Sequence, residues 1–251
     1  MIKTPQQLAL MRESGRLLAQ VFSMLDSFVV AGRSTLELDS AVETFIRQTL
    51  QARPASLGQY DYPFSINTSI NEVVCHGMPS AKQILKDGDI INIDITLEKG
   101  GFIADSSKMY MIGTVTPKAR RLVEMTFEAM WAGIRQVKPG ARLGDIGHAI
   151  QCHAQANGYS VVREYCGHGI GREMHEEPQI LHFGRPGTGL ELREGMVFTI
   201  EPMLNQGSAK VRSLKDGWTV VTKDNSLSAQ WEHTVAVTAD GFEVLTLQPT
   251  A

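Results

Sequence analysis

The sequence predicts an internally duplicated α+β domain, and three observations carry that expectation. Two apolar strands end in a carboxylate, Gly88–Asp94 and Gly195–Glu201, each a glycine, an apolar run and an acid. Helical periodicity precedes both strands. Residues of the two halves also correspond at nearly one offset: Gly32, Glu37, Leu38, Ala41 and Val42 align with Gly140, Asp145, Ile146, Ala149 and Ile150. Two such helix–helix–strand–strand units pack as a central, mostly antiparallel sheet with helices on one side. The chain, 1–251, then reads as one domain with pseudo-twofold halves of about 1–112 and 113–251.

The elements follow in order. Thr4-Pro5 reads as an N-cap with proline at the first helical position, and Gln7 completes a capping box. Leu8, Met11, Leu17, Leu18, Val21, Phe22, Leu25 and Phe28 recur at helical spacing until Gly32 stops them. Ser34 and Glu37 form a second capping box for a helix through about Leu50. Asp61 to Ser69 reads as loop and edge strand. Ile90 to Ile95 is a buried strand that Lys99-Gly100-Gly101 turns into its partner. Thr116-Pro117 opens a third helix that runs to Pro139-Gly140, and a fourth spans about Leu143 to Ala156.

Composition narrows the class of function. Hydrophobic residues make up 43% and charged residues 20%, with a net charge of −3. That balance argues against a nucleic-acid or membrane-surface partner. The three cysteines, Cys75, Cys152 and Cys166, are an odd number without Cys-x-x-Cys spacing, which argues against a disulfide framework and for a reducing compartment. No segment reads as an export signal, and no apolar run reaches the roughly 18 residues that span a bilayer. A cytoplasmic protein is expected.

Chemistry concentrates at the strand ends. Asp94 shares a strand face with Asn92, while Ile91, Ile93 and Ile95 point the other way. A carboxylate in so apolar a strand is costly unless paired or bound to metal, so Asp94 is either a hydrogen-bonded core acid or a ligand. Asp105 lies across the glycine turn, where it caps the turn or meets Asp94. Two adjacent carboxylates repel unless a cation separates them. Glu201 repeats the arrangement before Pro202, and Glu232 precedes a further apolar strand, where alone it reads as an edge acid. His168 is flanked by Gly167 and Gly169, glycines that let a ligand approach the backbone closely. His76 and His175 complete the candidates, and no His-Glu-x-x-His motif is present. Four carboxylates with one histidine favour Mn, Fe, Co or Zn in a two-metal site.

These segments resemble a known family. Asn92-Ile93-Asp94, Asp105-Ser-Ser-Lys108-Met109, Gly167-His168-Gly169-Ile170-Gly171-Arg172, His175-Glu176-Glu177-Pro178, Phe198-Thr199-Ile200-Glu201-Pro202 and Ser228-Ala229-Gln230-Trp231-Glu232-His233-Thr234 are similar to motifs of the type I methionine aminopeptidases. The resemblance spans nearly the whole chain and implies the pita-bread fold. It implies removal of the initiator methionine from nascent proteins, with Asp105 and Glu232 bridging two divalent ions. Asp94 would complete one ion, and His168 and Glu201 the other, with Glu201 also the general base. His76 and His175 would contact the scissile peptide. Asn71, Val73 and Ser228 match positions that hold a monovalent cation in relatives. The partners implied are nascent N-termini and a transient ribosome contact, for a monomer with no membrane or specific nucleic-acid partner.

The expected methionine pocket departs from the family pattern. Gln59 stands where a tyrosine is usual, Ser56 and Asn67 where cysteines are usual, and Met174 where phenylalanine is usual. Tyr62 and Trp218 are retained. The alternative is therefore a divergent aminopeptidase of the same fold that prefers another N-terminal residue. A non-enzymatic relative would be expected to have lost ligands, and all five are present.

Overall fold

Thr4 caps the first helix as its side chain predicts. In a computed structural model that describes residues 1–248, helix α1 spans Pro5–Leu25 with the Thr4–Gln7 capping box formed. The last three residues of the expected domain lie outside the described residues. Helix α1 ends earlier than Phe28, because the amides of Phe28 and Val29 both turn back to the Leu25 carbonyl. Ser34 and Glu37 cap α2, Thr35–Thr44, but the helix widens into a π-turn over Phe45–Thr49 before Leu50. Helix α3, Pro117–Ile134, stops five residues short of Pro139, with the Val137 amide closing on the Ile134 carbonyl. Helix α4 spans Leu143–Ala156 as expected.

The strands Ile90–Lys99 and Phe102–Met111 form a hairpin around Gly100 and Gly101, both at positive φ. Alternation along the first strand sorts its side chains. Ile91, Ile93, Ile95 and Leu97 enter a core with Leu18, Val21 and Phe22 of α1 and Leu38 and Val42 of α2. In the second half Ile146 and Ile150 of α4 and Leu122 and Met130 of α3 pack against Phe198, Ile200 and Val235.

The two halves repeat each other in detail. The Gly32 amide bonds to Leu85 as the Gly140 amide bonds to Leu192, and both glycines are left-handed. Ser34 bridges Ile84 as Arg142 bridges Glu191. Ser34 closes a capping box with Glu37, and the Asp145 carboxylate likewise accepts the Arg142 amide, although arginine has no side-chain acceptor to complete the box. All strand pairings are antiparallel among the described residues, yet they fall into four hydrogen-bonded sheets of four, three, three and five strands instead of one central sheet. Beside the candidate ligands the ladder between the halves shrinks to a single bridge between Ser107 and Glu232, while Val73–Cys75 pairs with Val220–Thr222 elsewhere on the join. Side chains reinforce that seam. Asn92 donates to the Gln230 carbonyl, Ser106 to the Glu232 carbonyl, and the Thr234 hydroxyl both accepts from the Asp105 amide and donates to its carbonyl.

Candidate active site

The seam carries the five candidate ligands to the floor of one cavity of about 520 Å³, lined by Asp94, Asp105, His168, Glu201 and Glu232. Asp94 and Asp105 come from the first hairpin, in neighbouring registers. Glu201 follows the strand Val197–Ile200, and Glu232 precedes His233–Val237 beside it. His168 sits mid-strand in Gly167–Gly169, where each flanking glycine packs so tightly on neighbouring backbone that no side chain would fit.

Ligand atoms of Asp105, His168 and Glu232 all lie within 4.8 Å of one another. His168 Nε2 is 3.6 Å from Glu201 Oε1 and 3.8 Å from Asp105 Oδ2. Its Nδ1 lies 3.0 Å from the Gly169 carbonyl. Donation to that carbonyl puts the ring proton on Nδ1 and aims the Nε2 lone pair at the carboxylates. Glu232 is 2% exposed, and its Oε1 has no hydrogen-bond partner. A buried carboxylate oxygen without a donor, facing a neutral imidazole and three more acids, fits a cation and little else.

The electrostatics agree. Burial raises all four acids, Asp94 to about 6, Glu201 to about 8, and Asp105 and Glu232 well above the usual carboxylate range. Mutual repulsion adds to the rise at Asp105, Glu201 and Glu232. Burial lowers His168 and His76 to about 4, which leaves both as neutral imidazoles near pH 7. A cluster that holds protons when alone releases them to a divalent ion.

The remaining predicted residues line the same cavity: His76, His175, Gln59, Tyr62, Asn67, Met174 and Trp218. His76 is held in a left-handed backbone at φ 55° and packs edge-on against Tyr165. His175 stands at the rim with its ring 4.4 Å from that of His168. Tyr62 and Trp218 meet edge to face at 4.9 Å, and the Tyr62 hydroxyl anchors on the Ile66 carbonyl. Asn67, on the strand Ile66–Ile70, pairs with Asp94 and brings its Nδ2 to 3.5 Å from Asp94 Oδ2. Ser56 donates to Thr96 and not into the pocket. Asn71 and Ser228 are joined by the Ser228 amide and the Asn71 carbonyl, and Val73 starts the adjoining strand.

A profile of metallopeptidase family M24 matches residues 9–239. The chain belongs to this family. The metallopeptidase is 53% identical over 247 residues to a methionine aminopeptidase of Escherichia coli K12, covering 98% of this chain and 94% of that protein. It is also 53% identical over 248 residues to methionine aminopeptidase B of Synechocystis, covering 96% and 90%. The crystal structure of a methionine aminopeptidase from Rickettsia prowazekii superposes with a TM-score of 0.96 at 50% identity, covering 98% and 99%. A prolidase from Pyrococcus horikoshii shares the fold, with a TM-score of 0.78 at 20% identity.

Sequence reasoning overlooked the residues that hold the metallopeptidase's candidate ligands in place. Thr96 donates to Asp105 Oδ1 at 3.3 Å, Thr199 to Glu201 Oε1 at 2.7 Å, and Gln230 to Glu201 Oε2 at 3.3 Å. His182, fully buried, accepts the Glu201 amide. A signal for three of them was in the sequence. Thr96, Thr199 and Gln230 each stand two residues from a ligand, on the same strand face where the chain stays extended.

Proposed function

We propose that this metallopeptidase removes N-terminal methionine from proteins and peptides by hydrolysis supported by two divalent ions. Asp105 and Glu232 would bridge them, Asp94 completing one and His168 with Glu201 the other. Bound there, the ions supply Lewis-acid chemistry and bring a water's pKa toward neutral. The observation that carries the reading is the convergence of five ligand side chains on one cavity with an unpartnered Glu232 oxygen at its floor.

The protein's own groups divide the remaining work. Glu201, its two oxygens held by Thr199 and Gln230, takes the proton of the attacking water. His76 and His175 line the wall and rim, where a neutral imidazole donates a hydrogen bond to the peptide as charge develops. Tyr62, Met174 and Trp218 offer an apolar and polarizable surface to a long unbranched side chain. Gln59 and Asn67 place amides in the same wall, and that observation favours a second reading in which another N-terminal residue is preferred.

The reading extends to residues 1–251 acting as one catalytic unit with halves near 1–112 and 113–251. It includes Mn, Fe, Co or Zn as the metal, a monovalent cation beside Asn71, Val73 and Ser228, and a monomer working in the cytoplasm on nascent chains with transient ribosome contact. The deciding experiment is metal analysis and Met-Ala peptide hydrolysis for the wild type and Asp105→Ala. Loss of both metal and turnover is expected. Two tightly held ions with near-normal turnover in that variant overturn the ligand assignment.

A further inference from the structure

Tyr60 is 67% exposed, yet its backbone is held in the left-handed region at φ 49°, followed by Asp61 at 65°. Bulky L-residues rarely adopt that conformation. The turn that imposes it is closed on both sides. The Gly58 amide donates to the Tyr62 carbonyl at 2.8 Å, and the Tyr62 amide donates to the Gln59 carbonyl at 2.9 Å. Tyr62, the base of the turn, is pinned by its own hydroxyl to the Ile66 carbonyl. An anchored turn therefore lifts one aromatic side chain over the cavity mouth.

What Tyr60 meets there is His175. The two rings lie nearly parallel, 17° apart, with centroids 5.9 Å from each other. The Tyr60 hydroxyl is 3.4 Å from His175 Nδ1 and has no other partner among the described residues. A phenol facing a neutral imidazole nitrogen donates to it, since the phenol proton is the more acidic. With Nδ1 accepting, the imidazole proton sits on Nε2. That nitrogen has no protein partner among the described residues and is the one free to donate to a ligand in the cavity.

We propose that Tyr60 is a positioning residue for His175. It fixes the ring's tilt by stacking, fixes its tautomer through Nδ1, and shields its outer face from bulk water. The inference rests on the aminopeptidase reading, in which His175 donates to the reacting peptide. It also accounts for the polar Gln59 beside it. The aromatic wall of the mouth is supplied one residue further along the chain, and the left-handed backbone at Tyr60 is what turns that residue inward.

The test compares full-length wild type with Tyr60→Phe and Tyr60→Ala, metal-loaded, on Met-Ala-Ser peptides, and reads kcat and KM separately. In parallel, the His175 ring nitrogens are followed by NMR of histidine-labelled protein without metal. Tyr60→Phe keeps the stacked ring and loses the hydrogen bond. Its kcat is expected to fall about three- to tenfold with KM unchanged, and the His175 signals are expected to change from one tautomer to an average of two. Tyr60→Ala is expected to fall further. Unchanged kcat with unchanged ring signals in Tyr60→Phe overturns the proposal, as does a rise in KM alone. A wild type that leaves Met-Ala-Ser intact would instead defeat the aminopeptidase reading, while the ring signals would still report whether Tyr60 sets the tautomer.

Discussion

The hydroxyl of Thr199 joins two candidate ligands of one ion: it accepts the His168 amide at 3.0 Å and donates to Glu201 Oε1 at 2.7 Å. The orientation of Glu201 is thus referred to the strand that carries His168. Replacing the hydroxyl by a methyl group of the same shape removes that reference and leaves the core filled. Thr199→Val is expected to lower divalent-metal affinity about 10–100-fold, the usual scale for losing a group that orients a ligand. Thr199→Ser is expected to retain most of it. Calorimetric titration of metal into each variant decides; equal affinity in Thr199→Val and wild type would show that the hydroxyl is only structural.

His175 lies beside the candidate ligands, packed against His168. Its ring faces His168 at 4.4 Å, while the acids around His168 stay within reach of Nε2. His175→Ala is therefore expected to bind metal normally and lose turnover by about 10²–10³-fold, the effect of removing one transition-state donor. Metal content and kcat measured on the same preparation separate the two. A metal-free variant would make His175 a ligand.

Selectivity turns on the two amides in the pocket wall. An unpaired buried amide costs about 1–3 kcal/mol when an apolar side chain displaces its water. Gln59→Tyr with Asn67→Cys is expected to raise kcat/KM for methionine over norleucine and leucine analogues. Asn67 also contacts Asp94. Gln59→Tyr alone isolates the wall effect, and Asn67→Cys alone reports any change in metal affinity. Unchanged discrimination in the double variant would place selectivity in other residues.

Stability carries a pH signature away from the site. Asp39 is buried against the amides of Ser65 and Ile66, and burial raises it from 3.8 to about 6, with a push from Glu43, although those amides oppose the rise. The folded state thus holds its proton more tightly than the unfolded chain. The stabilising effect is fully present below pH 3.8, is lost as pH rises through about 6, and is absent above it. Chemical denaturation of Asp39→Asn across that range is expected to lack this downward slope, with the carboxamide oxygen still accepting both amides. Parallel slopes in variant and wild type would contradict the assignment.

Much of this was legible in the chain. The capping boxes at Thr4 and Ser34, the α4 limits and the hairpin around Gly100 follow from local rules, because short-range hydrogen bonds and glycine backbone freedom decide them. The acids that converge on the cavity were legible because carboxylates at the ends of apolar strands are expensive. Tyr60 was not, because neither its left-handed backbone nor its contact with His175, 115 residues away, is written in local pattern. Nor was the division into four sheets, which rests on long-range pairings such as Val73–Cys75 with Val220–Thr222 and the lone Ser107–Glu232 bridge.

The join between the halves has a thermodynamic consequence. Asp94 and Asp105 belong to one half, His168, Glu201 and Glu232 to the other, and Thr234 grips Asp105 across the join. An ion held by both sets, as proposed, would bind only when the halves are docked, so ion occupancy and docking would be one equilibrium. Divalent-ion activity in the surroundings would then act as a rheostat on the rigidity of the join. Chelation is expected to loosen the join before it unfolds either half, with the amides of Ser107 and Glu232, which pair across it, among the first to exchange with solvent.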